Sequence, residues 1–152
     1  MPNVIISDTS CLIILTKIEE LDLLRQLYKK VTITQEIFIE FGEQIPDWIE
    51  VRQVNDNFRK QLLEMQIDKG EASAIALSME LGKNILIIDD WKARKIAERL
   101  GLCVTGTLGV IIKAKNNGII TSIKPYLEKI RETNFRISED LEQIALREAN
   151  EK

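Results

Sequence analysis

The 152-residue chain reads as an α/β protein, a mostly parallel sheet covered by helices on both faces. Three observations predict this. Short apolar runs (Val4-Ile5-Ile6, Val31-Thr32-Ile33 and Ile85-Leu86-Ile87-Ile88) have the length and residue types of buried strands. Longer segments of helical spacing alternate with them, and this order builds parallel sheets. A hydrophobic content of 45% is enough for one sizeable core at this length.

Taken in order, Val4 to Ile6 is a strand, and Asp8-Thr9-Ser10 is a turn and cap before a helix that begins over Cys11 to Thr16. Leu21, Leu24 and Leu27 repeat at helical spacing. Val31 to Ile33 is the next strand, followed by a helix from about Gln35 to Phe41 and a break from Gly42 to Pro46. Trp48 to Val54 reads as extended and leads into a helix around Arg59 to Met65. Asp68-Lys69-Gly70-Glu71 opens an amphipathic helix over Ala72 to Leu81, closed by Gly82. Ile85 to Ile88 is the strand with the clearest boundaries, Asn84 and Asp89. A helix follows from about Lys92 to Leu100 and stops at Gly101, and Val104-Thr105-Gly106 is a short strand or turn. Leu108 to Lys115, residues 123–132 and residues 138–149 complete the set as helices. No repeat, low-complexity stretch or linker interrupts this order. Residues 1–152 therefore read as one domain, with a mobile acidic helix or tail from about 138.

Composition narrows the chemistry. The chain has no histidine, which removes Ser-His-Asp and Cys-His hydrolysis and His-ligated zinc or haem. Two cysteines build neither a four-thiolate zinc site nor an Fe–S cluster within one chain. Carboxylates are plentiful, so any metal is expected to be a hard, oxygen-ligated cation such as Mg²⁺ or Mn²⁺. No apolar run reaches the roughly 18 residues of a membrane span, and the first residues lack the pattern of a leader. Cys11 and Cys103, both in apolar sequence, are expected as buried free thiols in a reducing cytoplasm.

The net charge of −3 is unevenly spread. Residues 1–90 hold 16 acids against 9 bases, residues 91–136 hold 10 bases against 3 acids, and residues 137–152 hold 5 acids against 2 bases. A basic segment thus begins directly after Asp89-Asp90.

In an open α/β sheet, functional groups collect beyond the carboxyl ends of the strands. Asp8 and the pair Asp89-Asp90 stand there by sequence. Side by side on neighbouring strands, such carboxylates repel one another unless a cation neutralises them. Each also has a structural alternative. Asp8 can be an N-cap, Glu71 stands at capping-box spacing from Asp68, and one of Asp89 and Asp90 can cap the helix that follows. Glu36 and Glu40 form an i, i+4 pair of a kind that is usually solvated.

An ordered set of motifs resembles the PIN-domain family, and within it the VapC-like toxin ribonucleases. The pieces are Val4-Ile5-Ile6-Ser7-Asp8-Thr9-Ser10, Val31-Thr32-Ile33-Thr34-Gln35-Glu36-Ile37-Phe38-Ile39-Glu40, and Lys69-Gly70-Glu71-Ala72-Ser73-Ala74-Ile75-Ala76. Then come Leu86-Ile87-Ile88-Asp89-Asp90-Trp91-Lys92-Ala93-Arg94 and Val104-Thr105-Gly106-Thr107-Leu108-Gly109. The resemblance spans residues 4 to about 140 and implies a three-layer α/β/α sandwich. It also implies a divalent-metal-dependent nuclease acting on RNA, with Mg²⁺ or Mn²⁺ as cofactor. Carried over by position, it assigns catalytic roles to Asp8, Glu40, Glu71 and either member of Asp89-Asp90. Asp8, Glu71 and the Asp89-Asp90 pair would be metal ligands, with Ser10 and Thr107 in support. Thr34 stands where the family often has proline. A cognate antitoxin protein and a homodimer are the partners it implies.

Such a mechanism needs no imidazole, because carboxylates hold the ions that position and activate a water for attack on a phosphodiester. Lys92, Arg94, Lys95 and Arg99 are candidate contacts to the RNA backbone, or else a solvated helix face. Trp91 can stack on a base or pack on the core. The alternative function is a catalytically inactive PIN-like module that binds RNA or protein. A phosphorylation-controlled receiver has its acidic pair at the start of the chain, and the strand after it ends in a phosphoacceptor Asp; here that strand runs into Thr105-Gly106-Thr107. A haloacid-dehalogenase-like phosphatase needs a second Asp that Asp8-Thr9-Ser10 lacks.

Overall fold

The computed structural model describes residues 4–152; the first three residues, on which the leader reading partly rests, lie outside the described residues. Five strands, β1 (Val4–Ser7), β2 (Val31–Thr34), β3 (Ile49–Arg52), β4 (Asn84–Ile87) and β5 (Val104–Thr105), form one sheet in the order β3-β2-β1-β4-β5. Every pairing is parallel, with Ile6 opposite Thr32 on one side of β1 and Ser7 opposite Ile87 on the other. Central strands covered on both faces have no solvent side, so Ile6, Ile33, Leu86 and Ile87 are fully buried and the runs are apolar rather than alternating.

The helices among the described residues are α1 (Thr9–Lys17), α2 (Asp22–Tyr28), α3 (Gln35–Phe41), α4 (Asn57–Glu64), α5 (Lys69–Glu80), α6 (Trp91–Arg99), α7 (Thr107–Asn116), α8 (Lys124–Arg131) and α9 (Glu139–Glu148). The α/β/α sandwich is therefore observed. Helix α5 packs on β1, β2 and β4 and against α4 and α6, while α2 and α9 both pack on α7. Alanines make the close approach of α5 possible: Ala72, Ala74 and Ala76 are fully buried beside Ile75. Among the described residues, no helix is long and apolar enough to cross a membrane.

Four expectations are corrected. The acidic end is not a mobile tail but the docked helix α9, with Ala145 and Leu146 buried and Ala149 buried just beyond it. Among the contacts that hold it, the Lys115 Nζ donates to the Ala149 carbonyl at 2.6 Å, and the Glu151 carboxylate accepts from the Ser122 hydroxyl and the Ile123 N–H. Cys103 is exposed, at the start of the short edge strand β5, whereas Cys11 is buried; both are free thiols. Trp91 is 71% exposed rather than packed on the core, because Ala93 and Ala97 supply the buried face of α6. The extended stretch near residue 50 is also shorter than its pattern, confined to Ile49–Arg52.

Candidate active site

The strand order reverses at β1, which lies between β2 and β4, so a crevice opens where the carboxyl ends of β1 and β4 diverge into α1 and α6. Asp8 sits at this point and is 2% exposed. One of its oxygens accepts from the Cys11 N–H at 2.9 Å and caps α1; the other accepts from the Asp89 N–H at 2.8 Å across the sheet. The cap and the strand-end carboxylate are thus the same group. Burial pushes the Asp8 carboxyl well above the usual range, and the Asp89 charge adds to it, while the Cys11 and Asp89 N–H groups act against the rise. Burial likewise pushes up the Cys11 thiol beneath these acids, which leaves it protonated and unreactive.

Two further acids arrive on α3 and α5, whose N-termini are joined by a chain of hydrogen bonds. The Thr34 hydroxyl accepts from the Ile37 N–H and caps α3. It lies 2.7 Å from the Ser73 hydroxyl, which in turn donates to the Gly70 carbonyl at 2.7 Å. With the serine proton committed to Gly70, Thr34 is the donor to Ser73. Threonine at this position thus does what proline could not, since proline has no hydroxyl. Glu40, in the last turn of α3, packs its carboxylate over Gly70: a Cβ there would stand 2.8 Å from Glu40 Oε1. Glu71, the next residue, is pushed up to about 7, first by burial and then by the charges of Asp90, Asp68 and Glu40.

The acidic pair divides its work. Asp90 caps α6 by accepting from the Ala93 N–H at 3.0 Å. Asp89 turns toward β5 and accepts from both the Thr107 N–H at 2.8 Å and the Thr107 hydroxyl at 2.6 Å. Gly106, the N-cap of α7, has no side chain to do this, and a Cβ there would lie 2.9 Å from Asp89 Oδ1. Asp89 therefore lines a neighbouring cavity with Arg94, whose guanidinium reaches toward the Ile88 carbonyl.

Asp8, Glu40, Asp68 and Glu71 line one cavity of about 400 Å³. Ser10 lines it too, but both hydrogen bonds to Asp8 come from backbone N–H groups rather than from the serine hydroxyl. Four of the lining residues that sequence reading did not single out bear on the chemistry. Lys17 is the basic residue of the lining, and Ser10, Ile14 and Lys17 share a face of α1 at spacings of four and three, a signal present in the sequence. Asn134 and Phe135 come from the loop after α8, where no local pattern points to the acids. Thr9 is the fourth: it lines the cavity and its buried hydroxyl has no hydrogen-bond partner within the protein.

This donor set suits a hard cation, for the chemistry is all oxygen, and burial together with neighbouring negative charge pushes up both Asp8 and Glu71. Among the described residues no three acidic or thiol side chains are gathered tightly enough to hold an ion unaided. Mg²⁺ is commonly held by one or two carboxylates, with waters and substrate phosphates completing its shell. Asp8 and Glu71 meet that requirement.

Beyond the pair, Lys92, Lys95 and Arg99 are exposed on α6, and Arg94 is half-buried. Among the described residues none of the four is ion-paired, and Lys95 Nζ stands 4.4 Å over the Trp91 ring. Lys92, Lys95 and Arg99 give the exposed side of α6 a positive stripe.

No curated protein and no solved structure matches the chain significantly. A family model described as a PIN domain matches residues 4–151, nearly the whole chain. PIN domains are in general nucleases and typically use divalent metal ions, in keeping with acids gathered at the carboxyl ends of a parallel sheet. On this match and this fold, the chain belongs to the PIN-domain family.

Proposed function

We propose that this PIN-domain protein is a divalent-metal-dependent endoribonuclease of the VapC-like kind, the toxin of a toxin–antitoxin pair in the cytoplasm. The observation that carries the nuclease reading is the meeting of Asp8 at the start of α1, Glu40 of α3, and Asp68 and Glu71 at the start of α5 around one cavity that also has Lys17 in its wall. When bound, one or two Mg²⁺ or Mn²⁺ ions supply an activated water and stabilise charge on the transferring phosphoryl group. Asp8 and Glu71 are assigned as the residues that hold the ion, with Glu40 and Asp68 adding negative charge beside them. Asp8 is pinned by two N–H donors and cannot swing away. Asp90 is assigned as the member of the pair that serves the ion, because its charge bears on Glu71, whereas Asp89 turns toward Thr107. Asp89, with both oxygens held by Thr107, positions Asp8 through its N–H. Lys17, in the cavity wall, is assigned to meet a non-bridging phosphate oxygen, and the α6 residues Lys92, Arg94, Lys95 and Arg99 to follow the RNA backbone.

The toxin role extends the family resemblance, with a cognate antitoxin and a homodimer as partners. Phe58 and Leu62 on α4 and Met65 directly after it, exposed at helical spacing, supply apolar surface suited to a protein partner.

The test is cleavage of a labelled RNA in Mn²⁺. Wild type is expected to cut, chelator to stop it, and Glu71→Gln to slow it by about 100-fold or more. Full activity in Glu71→Gln and Asp8→Asn would overturn the reading. Absence of cleavage together with strongly salt-dependent RNA binding would favour the alternative, an inactive RNA-binding module.

A further inference from the structure

The cavity that holds the acids is not uniformly polar. Its far wall is built by Ile13 and Ile14 of α1 and by Phe135 from the α8–α9 loop. That loop is set by its own hydrogen bonds: the Thr133 hydroxyl donates to the Ile130 carbonyl at 2.6 Å and accepts from the Phe135 N–H at 3.1 Å. Phe135 is half-buried, packed against the core on one side and lining the cavity on the other. It also lines the neighbouring cavity of Asp89 and Arg94, so the residue borders both. Hydrated ions and phosphates gain nothing from an aromatic and isoleucine wall, whereas a planar heterocycle gains stacking and apolar burial. The cavity, about 400 Å³, is within the range of small-molecule sites.

We infer that the apolar half of this cavity is a nucleobase subsite, in which one unpaired base next to the scissile phosphate is held against Phe135 while that phosphate lies at Asp8 and Glu71. The inference rests on the ribonuclease reading above and adds a specificity-determining residue to it. A base in this position has left its stack, so the subsite selects flexible single strand over duplex at that nucleotide. Phe135 is a positioning residue: it fixes where the phosphate falls relative to the acids and takes no part in proton or metal chemistry.

The experiment uses the full chain in Mn²⁺ and a single-stranded oligoribonucleotide with one cleavage site, made intact and with an abasic nucleotide at each flanking position in turn. Wild type is expected to lose about tenfold in kcat/KM at one abasic position and little at the others. Phe135→Ala is expected to cut the intact RNA about tenfold more slowly and to be indifferent to that same abasic nucleotide. Phe135→Tyr should restore both the rate and the sensitivity, while Phe135→Leu, which keeps apolar packing, should not. A flat abasic scan in wild type, or losses that simply multiply in Phe135→Ala, overturns the subsite while leaving the nuclease reading intact. A binding arm decides the matter even where no RNA is cut. A 2-aminopurine placed at successive positions of the oligoribonucleotide should change fluorescence on wild type at one position and lose that change on Phe135→Ala. Equal signals on the two proteins overturn the subsite independently of cleavage.

Discussion

Asp8 carries more than one duty, and this decides how its substitutions should be read. Both of its oxygens accept from backbone N–H groups, so Asp8→Asn turns one acceptor into a donor facing an N–H. That change is expected to lower stability by about 1–3 kcal/mol in addition to any loss of activity, measurable as a fall in the urea midpoint. Glu71→Gln has no such conflict with a fixed donor pair, so its activity loss should come without a matching change in stability. Glu71 also sets a pH dependence. Its folded pKa, about 7, lies above the ordinary carboxylate value, so the folded protein holds more protons than the unfolded chain between those two points. Metal-free protein should therefore lose stability as pH rises from about 4.5 to about 7, and saturating Mn²⁺ should flatten that slope. Affinity for Mn²⁺ should rise over the upper part of the same interval, by titration calorimetry, and level off above it. A Mn²⁺ affinity that does not change between pH 6 and pH 8 would remove Glu71 from the ligand set.

At the scale of elements, the site is made by how α3 and α5 meet. The hydrogen-bond chain from Thr34 through Ser73 to Gly70 fixes their N-termini, and Gly70 leaves room for the Glu40 carboxylate. Gly70 has no need of a left-handed backbone, so its role is space. Gly70→Ala is therefore expected to displace Glu40 and reduce cleavage. Its stability should stay level or rise by up to about 1 kcal/mol, because alanine is the better helix former. A thermal melt beside a cleavage assay reads both quantities, and unchanged cleavage would show that the position of Glu40 does not matter. The apolar spacings and the breaks at Gly82, Gly101 and Asn116-Asn117-Gly118 made the helices legible before any coordinates. Edges were less so: β3 is shorter than its extended pattern, and Trp91 stands in solvent although helix starts commonly tuck an aromatic inward. Local pattern reports which residues repeat on a face, and the small Ala93 and Ala97 are what the sheet accepts there.

For the whole molecule, the acidic total does not exclude an RNA ligand. Setting aside Asp8, Glu40, Glu71, Asp89 and Asp90, residues 1–138 hold 14 acids against 19 bases, and the surplus acids lie in the docked C-terminal helix and the residues after it. RNA affinity should consequently fall with salt. Lys92→Ala combined with Lys95→Ala should make the log–log slope shallower by about 1.4, for two lost phosphate contacts at about 0.7 each. An unchanged slope in filter binding would take α6 out of the RNA path.

The apolar runs, the caps and the places of the acids at strand ends were all local properties, so the α/β architecture and a histidine-free, carboxylate-based site followed from residue order alone. Distances across the sheet were not local. That Asp89 binds Thr107 while Asp90 caps α6 depends on β5 lying beside β4, and two adjacent aspartates are indistinguishable until that pairing exists. The same holds for Phe135 and Lys17, which are more than a hundred residues apart and face one cavity because the chain folds the loop after α8 back over α1. Such meetings depend on packing between distant segments, and the spacing of residues along one segment carries no record of them.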